Sequence, residues 1–344
     1  MSSAEQKALF IPAKQGDFVV RATGIPTPGP GELLVKVHAI GLNPLEWKIQ
    51  KYGFAVETYP AIIGTDFSGV VESVGEGVTS FQKGDKVLCG GRWENKYASF
   101  QQFALAAADF AAQIPSSISF EQAATIPTGV ATAAIGLYQN GTFGAGLTAP
   151  WEQDGKEKYE GKPLLILGGA GSVGSYAIQL AKLSGFSPII ATASAHNSAY
   201  LQSLGATHVI DRSLDTAAEV AKITSAPVEV VFDTVGSAQT QQAALSVVAA
   251  GGAVILTAQS TLGDAVGQGK KVRTTFGSPY VPPNRDVGLA LYSRVAEYLQ
   301  SGAIQPNKTE VLPNGLDGIA SGLDRLREGK VSGVKLIARP QETA

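Results

Sequence analysis

LLILGGAGSVGSYAIQLAK, residues 164–182, decides how the chain is read. An apolar run passes into glycines spaced G-x-G-x-x-G at Gly169, Gly171 and Gly174, and a helix-forming stretch follows at once. A buried strand that turns sharply into a helix brings backbone amides and the positive end of the helix dipole to one point, where a pyrophosphate binds. In this reading Gly169 makes the tight turn, Gly171 lets the backbone approach the pyrophosphate, and Gly174 lets the helix pack closely on the strand. Gly169, Ala170, Gly171, Ser172, Val173 and Gly174 are the expected dinucleotide cradle. Glycines at this spacing alone carry little weight; strand, glycines and helix together make the signal specific.

Downstream, apolar runs alternate with helical stretches, the signature of parallel βαβ units. Strands are expected at 164–168, 188–193, 207–210, 228–233 and 253–257. The fourth ends in Asp233-Thr234-Val235-Gly236, at the carboxyl edge of the sheet, so Val235 joins the expected cofactor-binding residues, while Asp233 either contributes there or caps the next helix. Upstream the pattern is different: short β runs at Ala8 to Ile11, Leu33 to Ile40, Gly69 to Val74 and Lys86 to Leu88, broken by Pro26, Pro28, Pro30 and Gly31, predict an irregular β-barrel. A helix over Asp286 to Gln300 and strands ending in Val334 to Ala338 form a tail too short to fold alone, which is expected to return to the barrel. The expected boundaries are 1–124, 125–277 and 278–344. Residues 139–162, rich in glycine and polar residues and without periodicity, read as an exposed insertion.

Composition narrows the function. At 344 residues the chain exceeds one ordinary core, and 44% hydrophobic against 16% charged residues predicts a soluble globular protein. A net charge of -2 with no basic run argues against nucleic acid as a partner. Cys89 is the single cysteine, which excludes an intrachain disulfide and any multi-cysteine metal site. The N-terminal segment has no basic start followed by an apolar core, and no window approaches the roughly 18 apolar residues of a membrane span. A cytoplasmic location is expected.

The choice of dinucleotide rests on the end of the second strand, where an acid about 20 residues on would bind an NAD ribose. IIATASAHNSAY, residues 189–200, has none. Ser194, His196, Asn197 and Tyr200 are instead able to hydrogen-bond a 2'-phosphate. NADPH is therefore expected, with Arg212 after the third strand able to reach the adenine or the phosphate. For His196 and Asn197 the competing reading is a helix cap, and for Arg212 a solvated loop residue.

The run GKPLLILGGAGSVGSYAIQLAK resembles the signature of zinc-free quinone oxidoreductases in the medium-chain dehydrogenase/reductase superfamily, with Ser172 where a second adjacent glycine is usual. GTDFSGVVESVGEGVTSFQKGDKV, Gly64 to Val87, resembles the G-x-D-x-x-G segment of the same superfamily. Asn43-Pro44-Leu45-Glu46-Trp47-Lys48, the 139–162 insertion and VSGVKLIA near the C-terminus are most similar to fungal trans-acting enoyl reductases. The resemblance implies an α/β fold: a GroES-like β-barrel domain with an inserted Rossmann domain, a doubly wound parallel sheet. It also implies NADPH-dependent reduction of the C=C bond of an α,β-unsaturated carbonyl or enoyl thioester, beside a polyketide synthase as a possible partner, in a monomer or homodimer. Quinone reduction and NADPH binding without turnover are the alternatives.

Gly64-Thr65-Asp66 stands where zinc alcohol dehydrogenases carry Gly-His-Glu, and His38, His196 and His208 are scattered, so no zinc is expected. Without a metal, a donor or cation must polarise the carbonyl. By the resemblance Lys48 is the first candidate, for catalysis and for the nicotinamide ribose, with Asn43 as a second catalytic group. Trp47, Thr128 and Thr132 are implied at the substrate, and Ser332 in VSGVKLIA at the cofactor. Lys48 could instead be a surface lysine, Trp47 core, and the threonines ordinary helix packing. Tyr52, Tyr59, Tyr280 and water all remain open as proton donor.

Overall fold

The computed structural model describes residues 4–263, 266, 267 and 269–344. It divides into two compact units. One comprises residues up to Thr128 with Val295–Gln300 and Pro306–Ala344; the other comprises Gly129–Arg294 and Ser301–Gln305. The division falls differently from the expected boundaries: residues 125–128 go with the barrel, and residues 278–294 go with the parallel sheet. Side-chain bonds hold the latter there, as Asn284 donates to the carbonyls of Phe276 and Ser278 and Gln139 donates to that of Pro283.

The first unit contains β1 (Glu5–Ile11), β2 (Val19–Gly24), β3 (Glu32–Gly41), α1 (Pro44–Tyr52), β4 (Ala61–Ile62), β5 (Asp66–Val74), β6 (Lys86–Gly90), β7 (Phe103–Ala107), β8 (Ala111–Gln113), α2 (Phe120–Ala123) and the start of α3 (Pro127–Tyr138). The long strand β3 organises it, pairing antiparallel with β5 and β7. Register shifts between Leu34 and Val35 and between Val37 and Ala39 bend β3, as bulges do where a sheet curls into a barrel. Leu33, Ile40, Phe67 and Phe100 fill the interior.

The second unit carries β9 (Leu164–Leu167), α4 (Ser172–Leu183), β10 (Ile189–Ala193), α5 (Ser198–Leu204), β11 (His208–Asp211), α6 (Thr216–Ile223), β12 (Val228–Asp233), α7 (Ala238–Val247), β13 (Val248–Leu256), β14 (Lys271–Thr274) and most of α8 (Arg285–Gln300). Its strands lie in the order β11-β10-β9-β12-β13-β14, every pair parallel. This is the doubly wound order, which reverses between β9 and β12. Every residue of β9 and β10 is buried, as expected of parallel strands covered on both faces. The final strand, β14, was not expected from sequence.

The chain then returns to the barrel through β15 (Thr309–Val311), α9 (Ile319–Arg327) and β16 (Lys335–Ala338), and β16 pairs antiparallel with the end of β3.

Residues 139–162 contain no helix or strand beyond turns, yet the expectation of an exposed insertion holds only in part. Ala149 is buried, Trp151 packs edge-on against Tyr138 at 5.1 Å, Tyr159 stacks on Phe186 at 4.6 Å, and the Arg273 guanidinium donates to the Gly144 carbonyl. Aromatic anchors pin a segment that has no periodic pattern.

Close packing of α4 on β9 yields a test. A Cβ at Gly174 would lie 2.4 Å from the Gly168 carbonyl oxygen and 2.9 Å from the Gly169 Cα, both backbone atoms, whereas one at Gly171 meets only the Gly168 oxygen at 3.4 Å. Gly174→Ala should therefore destabilise by about 1–3 kcal/mol through overpacking, or about 2–4 °C in Tm per kcal/mol. Gly171→Ala should leave Tm nearly unchanged. Thermal unfolding followed by circular dichroism compares them; equal Tm values for the two variants would contradict the packing role of Gly174.

Candidate active site

The glycine loop follows β9 at the point where the strand order reverses, with α4 starting at Ser172. The expected division of labour among the glycines needs one correction. Gly168, with φ +81°, makes the tight turn, and Gly169 does not. Gly169 is a packing position instead: a Cβ there would sit 2.9 Å from Ala191 Cβ and 3.1 Å from Leu201 Cδ1. Gly171 caps α4 in an extended conformation with space beside its Cα, which keeps its expected role at a phosphate open.

Val235 is 53% exposed and borders this loop, since a Cβ on Gly168 would come within 2.5 Å of Val235 Cγ2. Asp233 supports Val235 from below. One carboxylate oxygen accepts from the Val235 and Gly236 amides, both at 2.9 Å, and the other accepts from the Thr240 hydroxyl at 2.8 Å. Burial raises its pKa against those hydrogen bonds. Ser237 is the cap of α7, so Asp233 shapes the loop rather than capping the helix.

At the next strand end, Ser194 is half-buried, His196 exposed and Asn197 buried, with Asn197 Nδ2 3.2 Å from His196 Nε2. Tyr200 follows, half-buried, in α5. The Arg212 amide donates to the Ala193 carbonyl at 2.9 Å, which sets exposed Arg212 beside Ser194 across the β10–β11 pair. Asp211, which sequence reading passed over, lies opposite Ala193. Its pKa is lowered by the Ser213 hydroxyl and amide, and further by the Ala195 amide.

In the barrel unit, a buried polar cluster gathers around the cap of α1. Asn43 precedes Pro44 and its backbone amide donates to the Glu46 carboxylate in a capping box. Its Nδ2 donates to Asp66 Oδ2 at 2.9 Å and to Thr65 Oγ1 and Glu46 Oε1 at 3.3 Å. Its Oδ1 accepts from Lys335 Nζ at 2.5 Å. Lys335 also pairs with Asp66 at 2.8 Å, both side chains being almost wholly buried. Asp66 Oδ1 accepts from the Thr128 amide at 2.6 Å. The Thr128 hydroxyl donates to Thr65 Oγ1 at 3.0 Å, and that hydroxyl in turn donates to Glu46 Oε1 at 3.4 Å. Burial pushes the Glu46 pKa up to about 8, against the Asn43 amide and the charge of Lys335, with Asp66 adding to the rise.

Each candidate from sequence has a definite place. Asn43 is buried with both ends of its amide engaged, so it acts through the residues it holds. Lys48 is half-buried with its ammonium 5.7 Å from the centroid of the Trp47 ring, and no carboxylate pairs with it among the described residues. Trp47 is half-buried and Thr128 half-buried at the first turn of α3. Thr132 is 8% exposed and covered by the 275–281 turn, for a Cβ on Gly277 would fall 2.0 Å from its Oγ1. Ser332 is exposed; the charged residue of VSGVKLIA that the fold buries is Lys335. Tyr52 is exposed, while Tyr59 and Tyr280 are half-buried. Sequence reading missed Glu46 and Lys335 as site residues and weighed Thr65 and Asp66 only as absent zinc ligands.

Zinc does not fit these residues. Asp66 is occupied by the Lys335 ammonium, His38 stacks on Phe120 at 4.4 Å, and burial raises the pKa of the Cys89 thiol. Among the described residues no three His, Cys, Asp or Glu side chains gather as ligands. A nicotinamide dinucleotide suits the second unit, where the glycine loop turns from β9 into α4 at the reversal of strand order beside exposed Val235.

Residues 29–116 match the family described as alcohol dehydrogenase GroES-like domain, and residues 172–278 match zinc-binding dehydrogenase. A trans-enoyl reductase from a Penicillium species is 30% identical, covering 95% of this chain and 96% of its own length. A trans-enoyl reductase from Aspergillus japonicus is 34% identical over 89% of each chain. The solved structure of the quinone oxidoreductase from Coxiella burnetii is 26% identical, with a TM-score of 0.74 over 97% of this chain and 99% of that one. Barrel, doubly wound sheet and full-length likeness agree, and the chain belongs to the medium-chain dehydrogenase/reductase superfamily as an oxidoreductase related to the fungal trans-enoyl reductases.

Proposed function

We propose that the protein reduces the C=C bond of an α,β-unsaturated carbonyl or enoyl thioester with NADPH and without a metal. The observation that carries this reading is the likeness to trans-enoyl reductases over nearly the whole chain, joined to a site in which Lys335 holds Asp66 where a metal ligand would be needed. When bound, the reduced nicotinamide supplies a hydride to the β-carbon. The remaining work falls to the protein. Gly168 to Gly174 receive the pyrophosphate on backbone amides and the α4 dipole. Ser194, His196, Asn197, Tyr200 and Arg212 take the 2'-phosphate, since β10 ends without an acid of its own and Asp211 is engaged by Ser213 and Ala195. Lys48 stabilises the negative charge that develops on the carbonyl oxygen, or holds the nicotinamide ribose. Trp47 and Thr128 contact the substrate.

Following NADPH absorbance across a panel of enones, enoyl thioesters and quinones tests the reading. Turnover is expected with the first two classes, with NADPH preferred over NADH, and dialysis against a strong chelator should leave the rate unchanged. Ser194→Asp should weaken NADPH by like-charge repulsion. A better rate with NADH in the unmodified protein would remove the phosphate-pocket assignment, and activity lost together with stoichiometric zinc would remove the metal-free one.

Lys48→Ala should lower kcat/KM roughly 10- to 150-fold without unfolding the protein, the worth of one charge-assisted hydrogen bond. A raised KM for NADPH assigns Lys48 to the ribose, and a lowered kcat at saturating NADPH assigns it to the developing enolate. Unchanged kcat and KM values would return Lys48 to the surface.

A further inference from the structure

Reduction of the alkene needs a proton at the α-carbon as well as a hydride, and the buried cluster around α1 supplies a route for it. We propose that Glu46 stores this proton and passes it through the Thr65 hydroxyl to Thr128, whose hydroxyl delivers it to the substrate. The inference rests on the proposed alkene reduction.

Geometry is the first support. Thr128 Oγ1, Thr65 Oγ1 and Glu46 Oε1 form an unbroken chain with links of 3.0 and 3.4 Å, running from a half-buried hydroxyl to a carboxyl that is 1% exposed. A hydroxyl both donates and accepts, so rotation of two hydroxyls reverses the direction of the chain. The longer link is of a kind common in catalytic hydrogen bonds before substrate binds.

The protonation state of the store is the second support. With burial as the dominant cause, the carboxyl has a pKa of about 8 and holds its proton at neutral pH. The charged groups acting on it are Lys335 from β16, which opposes the rise, and Asp66 from β5, which adds to it. Helix α9 packs on α1, but its charges are turned to other partners: Arg325 to Glu310, and Arg327 to Asp324. A general acid works best with a pKa near the working pH.

The step balances. After hydride reaches the β-carbon, the enolate carries one negative charge. A C–H bond forms at the α-carbon with the Thr128 proton while the oxygen electron pair restores the carbonyl. Thr128 takes the proton of Thr65, Thr65 takes that of Glu46, and the negative charge ends on the Glu46 carboxylate. Once product leaves, water at Thr128 reloads the carboxyl by the same chain.

Glu46→Gln preserves the capping box, since glutamine serves at that position, but cannot exchange the proton. It should lower kcat by about 100-fold or more, with KM values little changed, and should abolish a loss of kcat as the pH of the unmodified protein rises through about 8. Thr128→Val should lower kcat comparably, and Thr128→Ser should recover most of it. Independently of turnover, infrared titration of the protein without cofactor should show a protonated-carboxyl band with a midpoint of about 8 that is missing in Glu46→Gln. A band titrating in the ordinary carboxylate range, or full activity in folded Thr128→Val, would overturn the relay while alkene reduction stands. An unmodified protein that reduces no enone or enoyl thioester would overturn the proposed function itself.

Discussion

The buried ion pair between Lys335 and Asp66 is the contact on which the polar cluster of the barrel unit depends. It joins β16 to β5, across 269 positions of sequence, and the Asn43 amide hydrogen-bonds to both partners, accepting from Lys335 and donating to Asp66. Asp66 then holds the first turn of α3 through the Thr128 amide, and Asn43 caps the helix that carries Glu46, Trp47 and Lys48. Removing one partner of such a pair leaves an uncompensated buried charge, which costs about 3–5 kcal/mol. The return of the C-terminal tail to the barrel is thus a requirement of the site as well as of the sheet.

Two carboxylates in this cluster meet different surroundings. Asp66 faces an ammonium directly, whereas the direct partners of Glu46 are the amide groups of Asn43 and the Thr65 hydroxyl. Neighbouring acids placed in unlike environments are a recurrent way for one site to hold both a fixed charge and an exchangeable proton. The interaction that builds the cluster also takes up the Asp66 carboxylate in an ion pair.

Much of the second unit was legible because strands buried on both faces are dominated by apolar residues, so LLIL, IIATA and VEVVFD stand out from the helices between them. The missed strands lack that signal: VVRATG is only half covered, FALAA is mostly alanine, and KVRT sits at the sheet edge. The turn glycine was placed one residue late because Gly168 and Gly169 are adjacent, and only φ distinguishes turning from packing. Thr132 had the right composition and helix position, but the turn covering it comes more than 140 residues later. The cluster around Asn43 was legible only as the likeness of its hexapeptide. Nothing local in sequence says that Lys335 closes it, because the partners meet only when β16 pairs with β3.

Label transfer tests the central claim most directly: NADPH deuterated at the nicotinamide hydride position, an enone substrate, and mass and NMR analysis of the product. The account predicts one deuteron at the β-carbon from cofactor in ordinary water, and one at the α-carbon from unlabelled cofactor in heavy water. Deuterium at the carbonyl carbon would show alcohol formation, and cofactor oxidation without label in any saturated product would show that electrons go elsewhere; either result contradicts it.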